Sequence, residues 1–122
     1  MIENYENHPA FEFVKEIPTT WDETKVLDAQ IGEYIVIARR KGTKWYIAGI
    51  TNDQSRTVTI NLDLLEKNKN YTLKKCVDAE NAHFEKNPTA YVISEEIVNS
   101  RNSVKIKMAE GGGMMLIFDE IK

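Results

Sequence analysis

Between Glu33 and Asn52 two consecutive strand-like segments are apolar on both faces, and this restricts the possible architectures more than any other feature of the chain. Side chains alternate across a strand, so a strand with one wet face carries apolar residues only at every second position. Val58, Ile60 and Leu62 alternate in this way with Thr57, Thr59 and Asn61, as do Val104, Ile106 and Met108 with Lys105 and Lys107. These two segments read as ordinary sandwich layers. In the first of the two-faced segments, by contrast, Tyr34, Val36 and Ala38 lie on one side and Ile35 and Ile37 on the other. In the next, Trp45 and Ile47 oppose Tyr46, Ala48 and Ile50. An opposing sheet covers one side of such a hairpin. The other side needs a further body: a packed helix, a neighbouring domain or a second copy of the chain.

Strand patterns separated by turn signals at roughly 8–12-residue spacing run from Thr24 to the C-terminus, the mark of a sandwich or barrel. They predict strands near 24–29, 33–41, 44–51, 56–62, 71–78, 90–98, 103–108 and 114–120. Gly42 sits in a tight hairpin turn, and Glu110-Gly111-Gly112-Gly113 turns the chain into the last strand. Ahead of these, Asn7-His8-Pro9 reads as a helix entry, followed by the apolar positions Ala10, Phe11, Phe13, Val14 and Ile17 and a stop at Pro18. So short a helix has to pack on something. The expected fold is an all-β, antiparallel sandwich of about eight strands, Greek-key in type, preceded by a short N-terminal helix. Residues 1–18 form the helix and linker, residues 19–122 the sandwich, and residues 79–90 a surface loop.

Composition narrows the function classes. With 122 residues the chain can bury a core without a disulfide or metal staple. Sixteen basic and 19 acidic residues leave a net charge of −3, too weak and too mixed a field for a nucleic-acid partner. Cys76 is the only cysteine, which excludes an internal disulfide and a multi-cysteine zinc site. The apolar runs fall short of the roughly 20 residues that a membrane-spanning helix needs. The acidic N-terminus is not a signal peptide, so the expectation is a cytoplasmic protein or a fragment of a longer precursor.

Three spaced pieces carry a family resemblance: Pro18-Thr19-Thr20-Trp21-Asp22-Glu23-Thr24, then Gly32-Glu33-Tyr34-Ile35-Val36-Ile37-Ala38-Arg39-Arg40-Lys41-Gly42, then Trp45-Tyr46-Ile47-Ala48-Gly49. Asn87-Pro88-Thr89 before Tyr91, and Gly111-Gly112-Gly113 before the last strand, extend it over nearly the whole chain. The sequence resembles the C-terminal domain of glycoside hydrolase family 97, the α-glucosidase and α-galactosidase family. The resemblance implies a non-catalytic accessory domain, with Met1 an added start and the helical segment the end of a preceding catalytic barrel. It also implies that the barrel of the same polypeptide is the main partner, that homo-oligomers form, and that the parent is a bacterial enzyme of the periplasm or cell envelope. Calcium would belong to the parent's active site, with no cofactor held by this chain.

No constellation of residues points to catalysis here. Asp22 and Glu23 are paired carboxylates of the kind glycoside cleavage uses, but neighbours in an extended segment face opposite ways. Their expected role is to accept backbone N–H bonds in the loop after Pro18, while Trp21 anchors the joint. His8 and His83 lie outside any metal-ligand spacing. Glu95, Glu96 and Glu110 read as solvent-facing charges, and the triple glycine lacks the lysine and helix of a phosphate loop. Trp21, Tyr34, Ile35, Ile37, Trp45, Tyr46 and Ile50 are the candidate interface residues. The aromatics Trp21, Tyr34, Trp45, Tyr46, Tyr71 and Tyr91 also leave open an alternative, a carbohydrate-binding module that stacks sugars on exposed rings.

Overall fold

A computed structural model describes residues 18–78 and 91–122; the expected helix before Pro18 and the expected loop at 79–90 lie outside the described residues. Eight strands follow one another: β1 (Glu23–Gln30), β2 (Tyr34–Lys41), β3 (Lys44–Thr51), β4 (Arg56–Asn61), β5 (Asn70–Asp78), β6 (Tyr91–Asn99), β7 (Ser103–Met108) and β8 (Gly113–Glu120). All pairings are antiparallel. The all-β reading and the strand positions agree with the expectation to within one or two residues.

The two layers are unequal. Six strands form one sheet in the order β1-β2-β3-β8-β5-β6, and β4 and β7 form a two-stranded sheet against it. The chain leaves the large sheet after β3, returns for the β5–β6 hairpin, leaves again for β7 and comes back as β8 between β3 and β5. Strand β8 is therefore paired on both edges, with Ala48 opposite Met115 on one side and Cys76 opposite the same residue on the other.

The core lies between the sheets. Val36, Ala38, Trp45, Ile47, Tyr71, Leu73, Met114, Leu116 and Phe118 from the large sheet meet Val58, Ile60, Val104, Ile106 and Met108 from the small one. These are the period-two apolar sets, and each buried aliphatic or aromatic side chain adds roughly 1.5–3 kcal/mol of transfer free energy. The Tyr71 hydroxyl, deep in this core, accepts the Glu66 N–H at 3.2 Å and so escapes the penalty of an unpaired buried polar group. At Gly113 the β3 and β8 backbones approach so closely that a Cβ would stand 2.5 Å from the Gly49 carbonyl oxygen.

The segment ahead of β1 is tied to the far end of the β2–β3 hairpin. The Asp22 N–H donates to the Arg40 carbonyl, and the Asp22 carboxylate accepts the Gly42 N–H, both at 2.8 Å. Gly42 takes a φ of +62°, which turns its N–H toward that carboxylate. The expected backbone bond of Asp22 is thus made to the neighbouring hairpin and not within its own loop, while Glu23 pairs with Arg40 at 3.2 Å. The Gly42 hydrogen bond holds the Asp22 carboxyl below its usual range, helped by the positive charges of Lys41 and Arg40.

Two outcomes are expected. Leu116→Ala, at a fully buried site, lowers unfolding stability by about 2–5 kcal/mol in urea titration, and Gly113→Ala destabilises by more than about 1 kcal/mol because backbone has to move. A carboxyl with a depressed pKa stabilises the fold above its ordinary pKa, and that contribution is lost as pH falls through the depressed value. Asp22→Asn should therefore lower stability at neutral pH and flatten its dependence below about pH 4, measured by denaturant midpoints across pH.

Candidate functional site: the outer face of the six-stranded sheet

The side of the large sheet turned away from β4 and β7 is apolar across several strands. In register along it stand Val26 opposite Ile37, Ile35 opposite Ile50, Ile37 opposite Ala48, Ala48 opposite Met115 and Tyr46 opposite Ile117. Toward the last two strands the row continues through Cys76 and Ile93. Val26 is 60% exposed and Ile50 63%, so two large aliphatic side chains of this set meet water, while Ile97, 69% exposed, stands apart from them opposite Thr72. Scattered exposed apolar residues are normal; a contiguous set on one sheet face marks a contact surface.

One corner of the face is filled from within the chain. Tyr46 and Ile117 are buried there, with Trp21, Cys76 and Met115 packed around them. Trp21 meets the Tyr46 ring edge-on, at 5.1 Å between centroids and 69° between planes, and the Arg39 guanidinium lies over Trp21 at 5.6 Å. The Asp22 clamp to the hairpin sets where Trp21 lands. Beside it opens an apolar groove of about 230 Å³, lined by Trp21, Ile35, Ile37, Tyr46, Ile50 and Met115 among others.

Of the seven candidate interface residues, the structure brings Trp21, Ile35, Ile37, Tyr46 and Ile50 to this groove and places the other two elsewhere. Trp45 is 5% exposed and belongs to the core between the sheets. Tyr34 packs at the edge of that core, with the Arg56 guanidinium over its ring at 4.9 Å. Its hydroxyl bonds to Asp28, which pushes the phenol above its usual pKa. The reason is parity: positions 34 and 45 are in phase with the inward residues of their strands. Val26, Met115 and Ile117 belong to the outer face although no sequence argument singled them out. For the latter two a signal existed, since Met114-Met115-Leu116-Ile117-Phe118 is an unbroken apolar run of the kind a strand buried on both faces requires.

The end of the face is closed by the β1–β2 turn, where Ile31 is fully exposed. The turn is braced despite that exposure. Glu33 N–H donates to the Gln30 carbonyl at 2.9 Å, Asn52 N–H to the Glu33 carbonyl at 2.8 Å, and Gly111 N–H to the Asn52 carbonyl at 2.6 Å. Arg56 adds an ion pair to Glu33 at 3.2 Å and a bond to the Thr51 hydroxyl at 2.9 Å.

The chemistry available to this face is that of contact. Among the described residues no three of His, Cys, Asp and Glu gather as a metal site, so no step through calcium can be derived from them. Trp21 and Tyr46 are far from coplanar, and Trp45 and Tyr71 are buried, so these rings do not form the flat exposed pair that sugar stacking uses.

Comparison with known proteins identifies the family of the chain. Residues 20–119 match the family model described as "Glycosyl-hydrolase 97 C-terminal, oligomerisation". A retaining alpha-galactosidase of Bacteroides thetaiotaomicron is 40% identical over 115 residues, which cover 93% of this chain and 17% of that protein. A probable retaining alpha-galactosidase of Streptomyces bingchenggensis is 35% identical over 63 residues, 51% of this chain and 10% of its own length. Among solved structures, a glycoside hydrolase family 97 enzyme from Pseudoalteromonas sp. strain K8, in complex with acarbose, superposes with a TM-score of 0.96 at 31% identity, over 100% of this chain and 20% of that one. The chain thus spans no more than about a fifth of the length of these relatives. A family match over most of the chain, and near-identity of fold with a family 97 enzyme, establish that this chain belongs to the C-terminal domain family of glycoside hydrolase family 97.

Proposed function

We propose that this chain is the accessory, oligomerisation domain of a family 97 glycosidase, contributing a contact surface and no catalytic group. The observation that carries this reading is the outer face of the six-stranded sheet. Ile50 and Val26 are more than half exposed on it, beside a groove that Trp21 and Tyr46 close at one side. Apolar area of this extent stabilises a protein when a second protein surface covers it, at roughly 25 cal/mol per Å² removed from water. In the parent enzyme the preceding catalytic barrel and other copies of the domain supply such surfaces.

The parent acts on α-glycosides: alpha-galactosides by similarity to the Bacteroides relative, with alpha-glucosides the other class, since the Pseudoalteromonas enzyme was captured with acarbose and, in a variant, with panose. Calcium and its ligands belong to the parent's active site, outside this chain. The domain shapes that site indirectly, by holding the barrel's position and its assembly.

Three outcomes are expected of the purified chain. It turns over no aryl α-glucoside or α-galactoside. It binds a hydrophobic dye such as anilinonaphthalene sulfonate, and Ile37→Ser with Ile50→Ser cuts that signal. Calorimetric titration with maltose or melibiose gives no heat of binding. Turnover would overturn the accessory reading, and saccharide binding abolished by Trp21→Ala would replace it with the carbohydrate-binding one.

A further inference from the structure

One corner of the outer face is sealed more completely than its own sheet explains. Tyr46 and Ile117 stand opposite each other in register there, and are 5% and 2% exposed although β4 and β7 lie on the other side of the sheet. Cys76 and Met115, packed around them, are neighbours within the same sheet, whereas Trp21 comes from outside the strands. A sheet-face position is closed to water to that degree only when something lies on it.

Trp21 leads directly back along the chain to an apolar segment. Ala10, Phe13, Val14 and Ile17 recur at the i, i+3, i+4, i+7 spacing of one apolar face, with Phe11 beside them and Glu12, Lys15 and Glu16 between. Only Pro18, Thr19 and Thr20 separate Ile17 from Trp21, so the two stand at most roughly 14 Å apart at 3.3–3.6 Å per residue. The near end of this tether is fixed. The Lys41 ammonium donates to the Thr20 hydroxyl at 2.9 Å, and the Asp22 N–H to the Arg40 carbonyl at 2.8 Å. A short tether holds the segment at a millimolar effective concentration or above, which an unattached partner has to match.

Charge favours the same occupant. Arg39 lies over the Trp21 ring at 5.6 Å and Lys44 over the Tyr46 ring at 6.0 Å, so both rings that bound the corner stand beside cations. Residues 1–17 carry the carboxylates of Glu3, Glu6, Glu12 and Glu16 against the one ammonium of Lys15. Opposite charges at a rim fix orientation, while the apolar contact supplies affinity.

We propose that residues 10–17 dock on this corner of the outer face, their apolar side chains over Tyr46 and Ile117 beside Trp21. The polypeptide then enters the sandwich through a packed joint and not a free linker, and whatever precedes residue 10 is held against the Trp21 corner in one orientation. The Ile35 and Ile50 end of the groove stays open for the contacts between proteins described above, so the joint and those contacts are separate.

Cys76, the sole cysteine of the chain, packs on the Tyr46 and Ile117 cluster and serves as the reporter. Phe13→Cys, Val14→Cys and Ile17→Cys are each introduced into the whole chain and mildly oxidised with copper phenanthroline. At least one of them should form an intrachain disulfide with Cys76, read as a monomer on a non-reducing gel with both thiols lost. Glu12→Cys and Lys15→Cys, from the polar positions, should form it at least about tenfold more slowly, because bridging needs Cα atoms within about 7 Å. In the reduced chain, Phe13→Asp should speed the reaction of Cys76 with dithionitrobenzoate by about tenfold or more while the circular dichroism spectrum keeps its β character. A bridge formed only between chains would give the corner to a second copy. That result, equal bridging from polar and apolar positions, no bridge at all, or a Cys76 reactivity indifferent to Phe13→Asp would overturn the joint. The turnover, dye and saccharide measurements test the accessory reading separately.

Discussion

A two-stranded sheet cannot cover both faces of a six-stranded one, and the rest of the molecule follows from that inequality. Strands β4 and β7 seal the inner side over Val36, Ile47, Leu73 and Leu116 and present their own polar sides, Thr57, Thr59, Lys105 and Lys107, to water. Among the described residues no second sheet lies over the outer side of the large one. Its central strands β3 and β8 are paired on both edges, so water reaches them only through their faces, and both faces are apolar. This is the composition of a layer meant to sit between two bodies.

Among the described residues, few cover that face. Trp21 folds back over Tyr46 because Asp22 is bonded to the Gly42 N–H and the Arg40 carbonyl, and this closes one corner. At the opposite end the turn in which Ile31 is fully exposed is stiffened by Glu33, Asn52 and Arg56.

Much of the fold was legible because antiparallel strands with one wet face write their burial into the sequence at period two. The alternation in β4 and β7, and the doubled apolar pattern of β2 and β3, marked which strands face solvent and which do not. The placement of Trp45 and Tyr34 shows where composition misleads. An aromatic side chain suits a core and an interface equally, and only its phase against Ile47 and Val36 reveals the side it occupies. Both were candidate interface residues, whereas strict parity puts them on the core side of their strands. Ile31, a lone isoleucine in a turn, carries no periodic signal either way.

From the order of residues alone come the eight strands, the all-β class, the two-faced hairpin and the family, since each depends on local alternation, turn chemistry or spaced motifs. The unequal division of six strands against two was decided by tertiary structure. So were the insertion of β8 between β3 and β5, and the meeting of Trp21, Ile37 and Met115 around one groove. Strand pairing between segments distant in sequence is chosen by which apolar faces can be buried together, a global packing condition that no single segment records.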